Sequence, residues 1–113
     1  MSEQAVFEAL KYRIKVTKGG THCYYNNAGE LHRDNGPAVI RADGTKFWHQ
    51  NGQLHRTDGP AIEWANGTKE WFQNGQRHCI DGVAIDYANG CKRRLIHGVE
   101  MSEAEFNQTI KLL

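Results

Sequence analysis

The chain lacks long apolar runs, paired-cysteine motifs and blocks of like charge, and it has only two prolines. Each shortage removes a class of protein. No stretch approaches the roughly 18 consecutive apolar residues that a membrane span needs, so no membrane partner is expected. The three cysteines, Cys23, Cys79 and Cys91, form an odd set without CxxC spacing, which argues against a disulfide framework. Met1 to Leu10 carries acids and no apolar run, so no secretory leader is read there. Free thiols without a leader suggest a reducing, cytoplasmic setting. Fourteen bases against thirteen acids leave a net charge of +1, and the signs are interleaved. The longest basic cluster is Lys92-Arg93-Arg94, too short for a phosphate-gripping stripe, so nucleic acid is not an expected partner. No nucleophile elbow and no phosphate loop is present.

Glycine, in contrast, is plentiful, with twelve residues in 113, and it recurs in register. Leu31-His32-Arg33-Asp34-Asn35-Gly36-Pro37-Ala38 returns as Leu54-His55-Arg56-Thr57-Asp58-Gly59-Pro60-Ala61, and more weakly as Arg77-His78-Cys79-Ile80-Asp81-Gly82-Val83-Ala84. The step is 23 both times, and residues 29–51 match 52–74 at 14 of 23 positions. A degenerate earlier unit shows at Tyr24-Tyr25, with Tyr25 placed 23 before Trp48.

Two turn signals punctuate each unit. Asn51-Gly52 and Asn74-Gly75, with Ala28-Gly29 in the same column, mark one. Asp43-Gly44, Asn66-Gly67 and Asn89-Gly90 mark the other. Both sets suit type I′ hairpin turns, whose central residues need positive φ. Segments such as Lys46 to His49, Ala61 to Ala65 and Ala84 to Tyr87 have strand composition. Pro37 and Pro60 fit the first position of a strand, and Asp58 and Asp81 fit bonds to nearby backbone amides. Glycines every seven or eight residues exclude long helices, except at the ends. Ala5, Val6, Phe7 and Leu10 have helical spacing, and Ser102-Glu103-Ala104-Glu105 reads as an N-capped helix start.

The residues that could carry chemistry mostly belong to the repeat. His32, His55 and His78 share a column, and His-x-x-Asp recurs as His55/Asp58 and His78/Asp81. Metal ligation or acid–base work is one reading. A folding role, with each His packed on its own corner and bonded to backbone, is the better one. Equivalent positions in stacked hairpins lie roughly 10 Å apart, too far to share one zinc. Cys79, Cys91, His78 and His97 come from divergent columns and make a weak zinc case. No catalytic, cofactor or metal residues are therefore expected.

Two aromatic columns remain, Trp48 with Trp71 and Trp64 with Tyr87, the latter preceded by Arg41. One is expected to line the core. The other should be partly exposed near Arg33, Arg56 and Arg41, because so short a unit cannot bury both. Trp, Tyr and Arg carry interface energy well.

The string Trp48-x-x-Asn51-Gly52-x-x-His55-x-x-x-Gly59, followed by Asn66-Gly67, resembles the MORN repeat, although Arg56 stands where that pattern has glycine. The form NGxLHRxDGPA is more similar to tandem-repeat proteins of tailed phages, and His97-Gly98-Val99-Glu100-Met101-Ser102-Glu103-Ala104-Glu105-Phe106 looks like their closing segment. The resemblance covers about Thr21 to Gln108. It implies an elongated antiparallel sheet used for protein contacts, self-association or sometimes lipid. Phage origin implies action on a host factor, such as inhibition of a bacterial defence system.

The expected fold is mainly β: an antiparallel meander of stacked MORN-like hairpin repeats with short N- and C-terminal helices. Residues 1–20 are read as an N-terminal cap with a helix, 21–98 as the repeats and 99–113 as a C-terminal helix. The expected function is a non-enzymatic protein-binding module, a phage-encoded inhibitor that blocks a host protein or complex in the host cytoplasm. Candidate partner-binding residues are Arg33, Arg41, Arg56, Trp64, Tyr87, Arg93 and Arg94. The alternatives are a protein that sequesters a nucleotide signal, or a structural, self-assembling repeat protein. A homo-oligomer is compatible with each.

Overall fold

Turns closely spaced along a chain leave room for strands only a few residues long, and that is the architecture found. A computed structural model of the chain describes residues 11–78, 83–96 and 99–112. The strands are β1 (Arg13–Val16), β2 (His22–Tyr25), β3 (Val39–Ile40), β4 (Lys46–Phe47), β5 (His49–Gln50), β6 (Gln53–Leu54) and β7 (Ile62–Glu63). There follow β8 (Lys69–Glu70), β9 (Phe72–Gln73), β10 (Gln76–Arg77), β11 (Ile85–Asp86), β12 (Lys92–Ile96) and β13 (Val99–Met101), then helix α1 (Glu103–Leu112). Nine strands form one sheet in the order β1-β2-β3-β4-β7-β8-β11-β12-β13, with every pairing antiparallel. The hairpins β5–β6 and β9–β10 stand beside it as separate two-stranded pieces.

The two turn sets differ in kind. Asn51-Gly52 and Asn74-Gly75 are two-residue loops with φ of 49° and 51° at the asparagines and 84° and 81° at the glycines, as a type I′ turn requires. The Asp43-Gly44, Asn66-Gly67 and Asn89-Gly90 turns are not type I′, because the residue before glycine keeps a negative φ. There the loop has three residues. Arg41 N–H bonds the Thr45 carbonyl, Gly44 N–H bonds the Arg41 carbonyl, and the next two units repeat the pattern. Asp43, Asn66 and Asn89 use their side-chain oxygens to accept from the amides two residues on, at 2.8, 2.9 and 3.0 Å. Such local acceptors are why Asp and Asn favour these turns.

Residues 26–30 also close as a three-residue loop, one residue longer than the turn at Asn51-Gly52. This shifts the early unit by one. Tyr24, Trp48 and Trp71 donate their amides to the Ala38, Ala61 and Ala84 carbonyls at 2.8, 2.7 and 2.8 Å. Tyr24 therefore occupies the tryptophan column, where Tyr25 was expected.

The core is smaller and more aliphatic than two aromatic columns suggest. Ala38, Ala61 and Ala84 have no solvent exposure. Ala61, Ile62 and Phe72 form one cluster, with Phe47, Leu54 and Trp64 against it; Ala84, Ile85 and Leu95 form another, with Tyr87 against it. Both aromatic columns are half-buried, so neither lines the core alone. On the opposite face the register aligns Lys46, Glu63, Lys69, Asp86 and Lys92 in strict alternation. Opposite charges side by side favour this pairing, and the interleaved signs of the sequence become a ladder.

The ends depart from expectation. Arg13–Val16, assigned to an N-terminal cap, is a strand paired with β2; the helical reading of residues 2–10 falls outside the described residues. Val99–Met101, assigned to the C-terminal helix, pairs with β12, because alternating Val, Glu and Met suits a strand. The helix starts at Glu103 behind a capping box: Glu105 N–H donates to Ser102 Oγ at 3.2 Å, and Ser102 N–H to Glu105 Oε1 at 3.3 Å. No described helix is long and apolar enough to cross a membrane.

Candidate functional site: the groove between two corners

The His-Arg-x-x-Gly-Pro-Ala stretch folds into a corner held by its own arginine. Arg56 Nη1 donates to the Pro60 carbonyl at 3.1 Å and to Glu63 at 3.1 Å, while Nε bonds Asp58 at 2.9 Å. Its guanidinium also lies 3.9 Å from the centre of the Trp48 ring, a cation–π geometry. Arg33 repeats the arrangement one unit earlier, bonding the Pro37 carbonyl at 3.2 Å and lying 4.0 Å over Tyr24. The glycine of the corner now has a reason. A Cβ on Gly59 would sit 2.8 Å from Arg56 Cζ, and one on Gly36 3.2 Å from that of Arg33. Asp58 was expected to bond backbone amides, but its bond goes to the Arg56 side chain.

The histidines tie one unit to the next. His32 Nδ1 accepts from Asn51 N–H at 2.9 Å, and His55 Nδ1 from Asn74 N–H at 3.0 Å. Each thus bonds the backbone of a turn 19 residues on, and only His32 adds a bond within its own corner. His55 makes no bond to Asp58, whereas His32 Nε2 bonds Asp34 at 2.8 Å. Asp34 also takes Lys11 at 2.5 Å and the Tyr12 hydroxyl at 3.1 Å. Lys11 foremost, then His32, holds its carboxyl down to about 2. A second ladder had no sequence signal beyond recurrence: the Thr45 and Thr68 hydroxyls accept from Ala65 and Ala88 N–H, both at 3.1 Å.

Between successive corners lies an open groove of about 680 Å³. Asp34, Asn35, Gly36 and Pro37 form one wall, His55, Arg56, Thr57 and Asp58 the other, and Trp48 and Gln50 complete the lining. The candidate residues read from sequence do not assemble here. Of the seven, Arg56 alone lines the groove. Arg33 clasps the preceding corner. Arg41 lies over Phe47 and Trp64, at 4.7 and 5.7 Å from their ring centres. Trp64 donates its indole N–H to Glu70 at 2.5 Å and packs edge-on to Phe47. Tyr87 rests on the second core cluster. Arg93 forms a two-pronged pair with Glu100 at 3.0 and 2.5 Å, and Arg94 follows it on the other face of β12.

Trp48, read from the sequence as part of one aromatic column, was not among the candidate binding residues, and neither were Asp34, Asn35 and Thr57. The signal was the corner motif itself, since positions 34/57 and 35/58 vary where their neighbours are identical. Among the described residues no group of three His, Cys, Asp or Glu side chains is placed to hold a metal. Of the weak zinc set, His78 is buried and Cys91 exposed; Cys79 and His97 lie outside the described residues.

No family model, curated protein or solved structure matches the chain.

Proposed function

We propose that the chain is a non-catalytic protein-binding module that receives a partner in the groove between its corners. The groove carries the reading. It is open and has one tryptophan ring, with a carboxylate on each wall, an amide on one and a hydroxyl on the other, a composition suited to side chains of a protein surface. The His32, His55, Thr45 and Thr68 side chains are engaged in bonds that link one turn to another, and Asp43, Asn66 and Asn89 brace their own turns. The likeness of NGxLHRxDGPA to MORN-type repeats of tailed phages supports the narrower reading, an inhibitor that blocks a bacterial host protein or defence complex.

Nucleotide sequestration is the weaker alternative. The groove volume suits a small ligand, but Arg56 is already committed to Asp58, Glu63 and Pro60, and two carboxylates face where a phosphate would go.

Capture from bacterial lysate on the immobilised chain tests the proposal. A specific protein should be retained by wild type and lost with Thr57→Arg, which fills the groove from an exposed position. Retention of no protein, together with stoichiometric calorimetric binding of a cyclic nucleotide, would overturn it.

A further inference from the structure

The two edge strands of the nine-stranded sheet are unlike every strand between them. Among the described residues, the exposed large hydrophobic ones are Ile14, Val16 and Val99, at 41%, 55% and 60%. All three lie on β1 or β13, at opposite ends of the sheet. Every side chain of β1 is exposed.

Register partners across the sheet share a face. Lys15 pairs with Cys23, and the row continues through Val39, Phe47, Ile62, Glu70 and Ile85 to Arg93. Leu95, two residues along β12, shares that face and pairs with Glu100. Arg13, Lys15 and Glu100 therefore lie on the core-side face, and Ile14, Val16, Val99 and Met101 on the other. The two edges have the same internal pattern with opposite charge.

Nine strands alternating in direction leave β1 and β13 pointing the same way. A second copy added to the end of the sheet, with faces preserved, places its β1 parallel to β13. Alignment of Ile14-Lys15-Val16 with Val99-Glu100-Met101 then opposes apolar to apolar, base to acid and apolar to apolar. Isologous pairing gives no such match: β1 on β1 brings Arg13 and Lys15 against their own kind, and β13 on β13 opposes Glu100 to Glu100. Charges on an edge strand block indiscriminate pairing, and like charges directly opposite are destabilising. Here the same charges permit one combination. Glu100 is paired with Arg93 yet its side chain remains 55% exposed, while Arg13 and Lys15 make no ion pair among the described residues.

We infer that the chain self-associates head to tail, β13 of one copy adding to β1 of the next to continue the sheet. Such a heterologous contact does not stop at a dimer unless the ring closes. The junction leaves the groove between the corners free, so it stands or falls independently of the partner-binding proposal.

Sedimentation velocity over a concentration series tests the inference, with Ile14→Lys and Val99→Lys as single-edge variants. Both positions are exposed, and circular dichroism checks that each variant folds. Wild type should grow beyond dimer with concentration, and less so at high salt, while each variant alone stays monomeric. Their equimolar mixture should form a dimer and stop, because one intact β13 meets one intact β1 while the other junction opposes two lysines. Wild type that remains monomeric, wild type that halts at dimer, a variant that assembles like wild type, or a mixture that stays monomeric would each overturn it.

Discussion

Among the described residues, the unit at 52–74 and the degenerate unit after it differ where a bond must reach forward. Thr45 and Thr68 each accept an amide from the following unit, at Ala65 and Ala88. The third residue of the column is Cys91, exposed, and beyond it come β12, β13 and α1 instead of another three-residue turn. The hydroxyl goes where its recipient goes. Another column pair changes chemistry but keeps a contact. Across the three-residue turn Arg41 lies on Phe47, Trp64 donates to Glu70, and Tyr87 helps to hold the charged form of Arg93, which Glu100 stabilises most. Degeneracy here preserves an interaction while replacing both partners.

That contrast can be broken at several points. The largest effect is expected in the alanine column, where no solvent space exists: Ala61→Leu should cost about 3 kcal/mol by overpacking, read from the urea midpoint. Next comes the threonine ladder. Thr45→Val should strand the Ala65 amide and cost about 2 kcal/mol, whereas Cys91→Val should stay within about 0.5 kcal/mol. Equal effects at the two sites would dissolve the distinction between linked and terminal units.

The corner clasp is next in size. Gly59→Ala and Arg56→Ala should each cost about 1–2 kcal/mol through the same lost hydrogen bonds, and the double variant little more than either. Full additivity in that cycle would mean that the glycine is not there to admit the guanidinium.

The smallest effect concerns His49, which sits one unit before the core residue Phe72. Its Nδ1 is buried without a hydrogen-bond partner, and burial pushes the imidazole below its ordinary value of 6.5. The folded state thus favours the neutral ring. As pH falls through 6.5 the unfolded chain binds a proton that the folded chain resists, so stability declines with acidification. His49→Phe should remove that slope and raise stability by about 1 kcal/mol, measured as denaturation midpoints across pH. Asp34 has the depressed pKa of a stabilised carboxylate, so its contribution persists until pH falls from 3.8 toward about 2.

Much of the fold was legible because Asn-Gly, Asp-Gly and Gly-Pro mark where the chain turns, although Asp43-Gly44, Asn66-Gly67 and Asn89-Gly90 take a three-residue loop and not the type I′ turn expected. The 23-residue step placed the corners and turns, and Ser102 with Glu105 marked the helix start. What stayed hidden was relational. One extra residue in the loop at 26–30 moved Tyr24 into the column assigned to Tyr25, which a fixed period cannot reveal. Arg13–Val16 and Val99–Met101 are too short to assert a strand without the neighbour that pairs with them. Arg56 reads as an interface residue by type, yet its fork is turned onto Trp48 and the corner. The groove belongs to two units at once, so no single motif announces it.

The division between scaffold and surface is tested most directly by one comparison: the affinity of the captured partner for Thr57→Arg and for Thr45→Val, each with its urea midpoint. The groove variant should lose partner affinity by tenfold or more, about 1.4 kcal/mol, with its stability unchanged. The ladder variant should lose stability and keep its affinity per folded molecule. Unchanged affinity with Thr57→Arg, or a partner lost with Thr45→Val while the chain remains folded, would contradict the division.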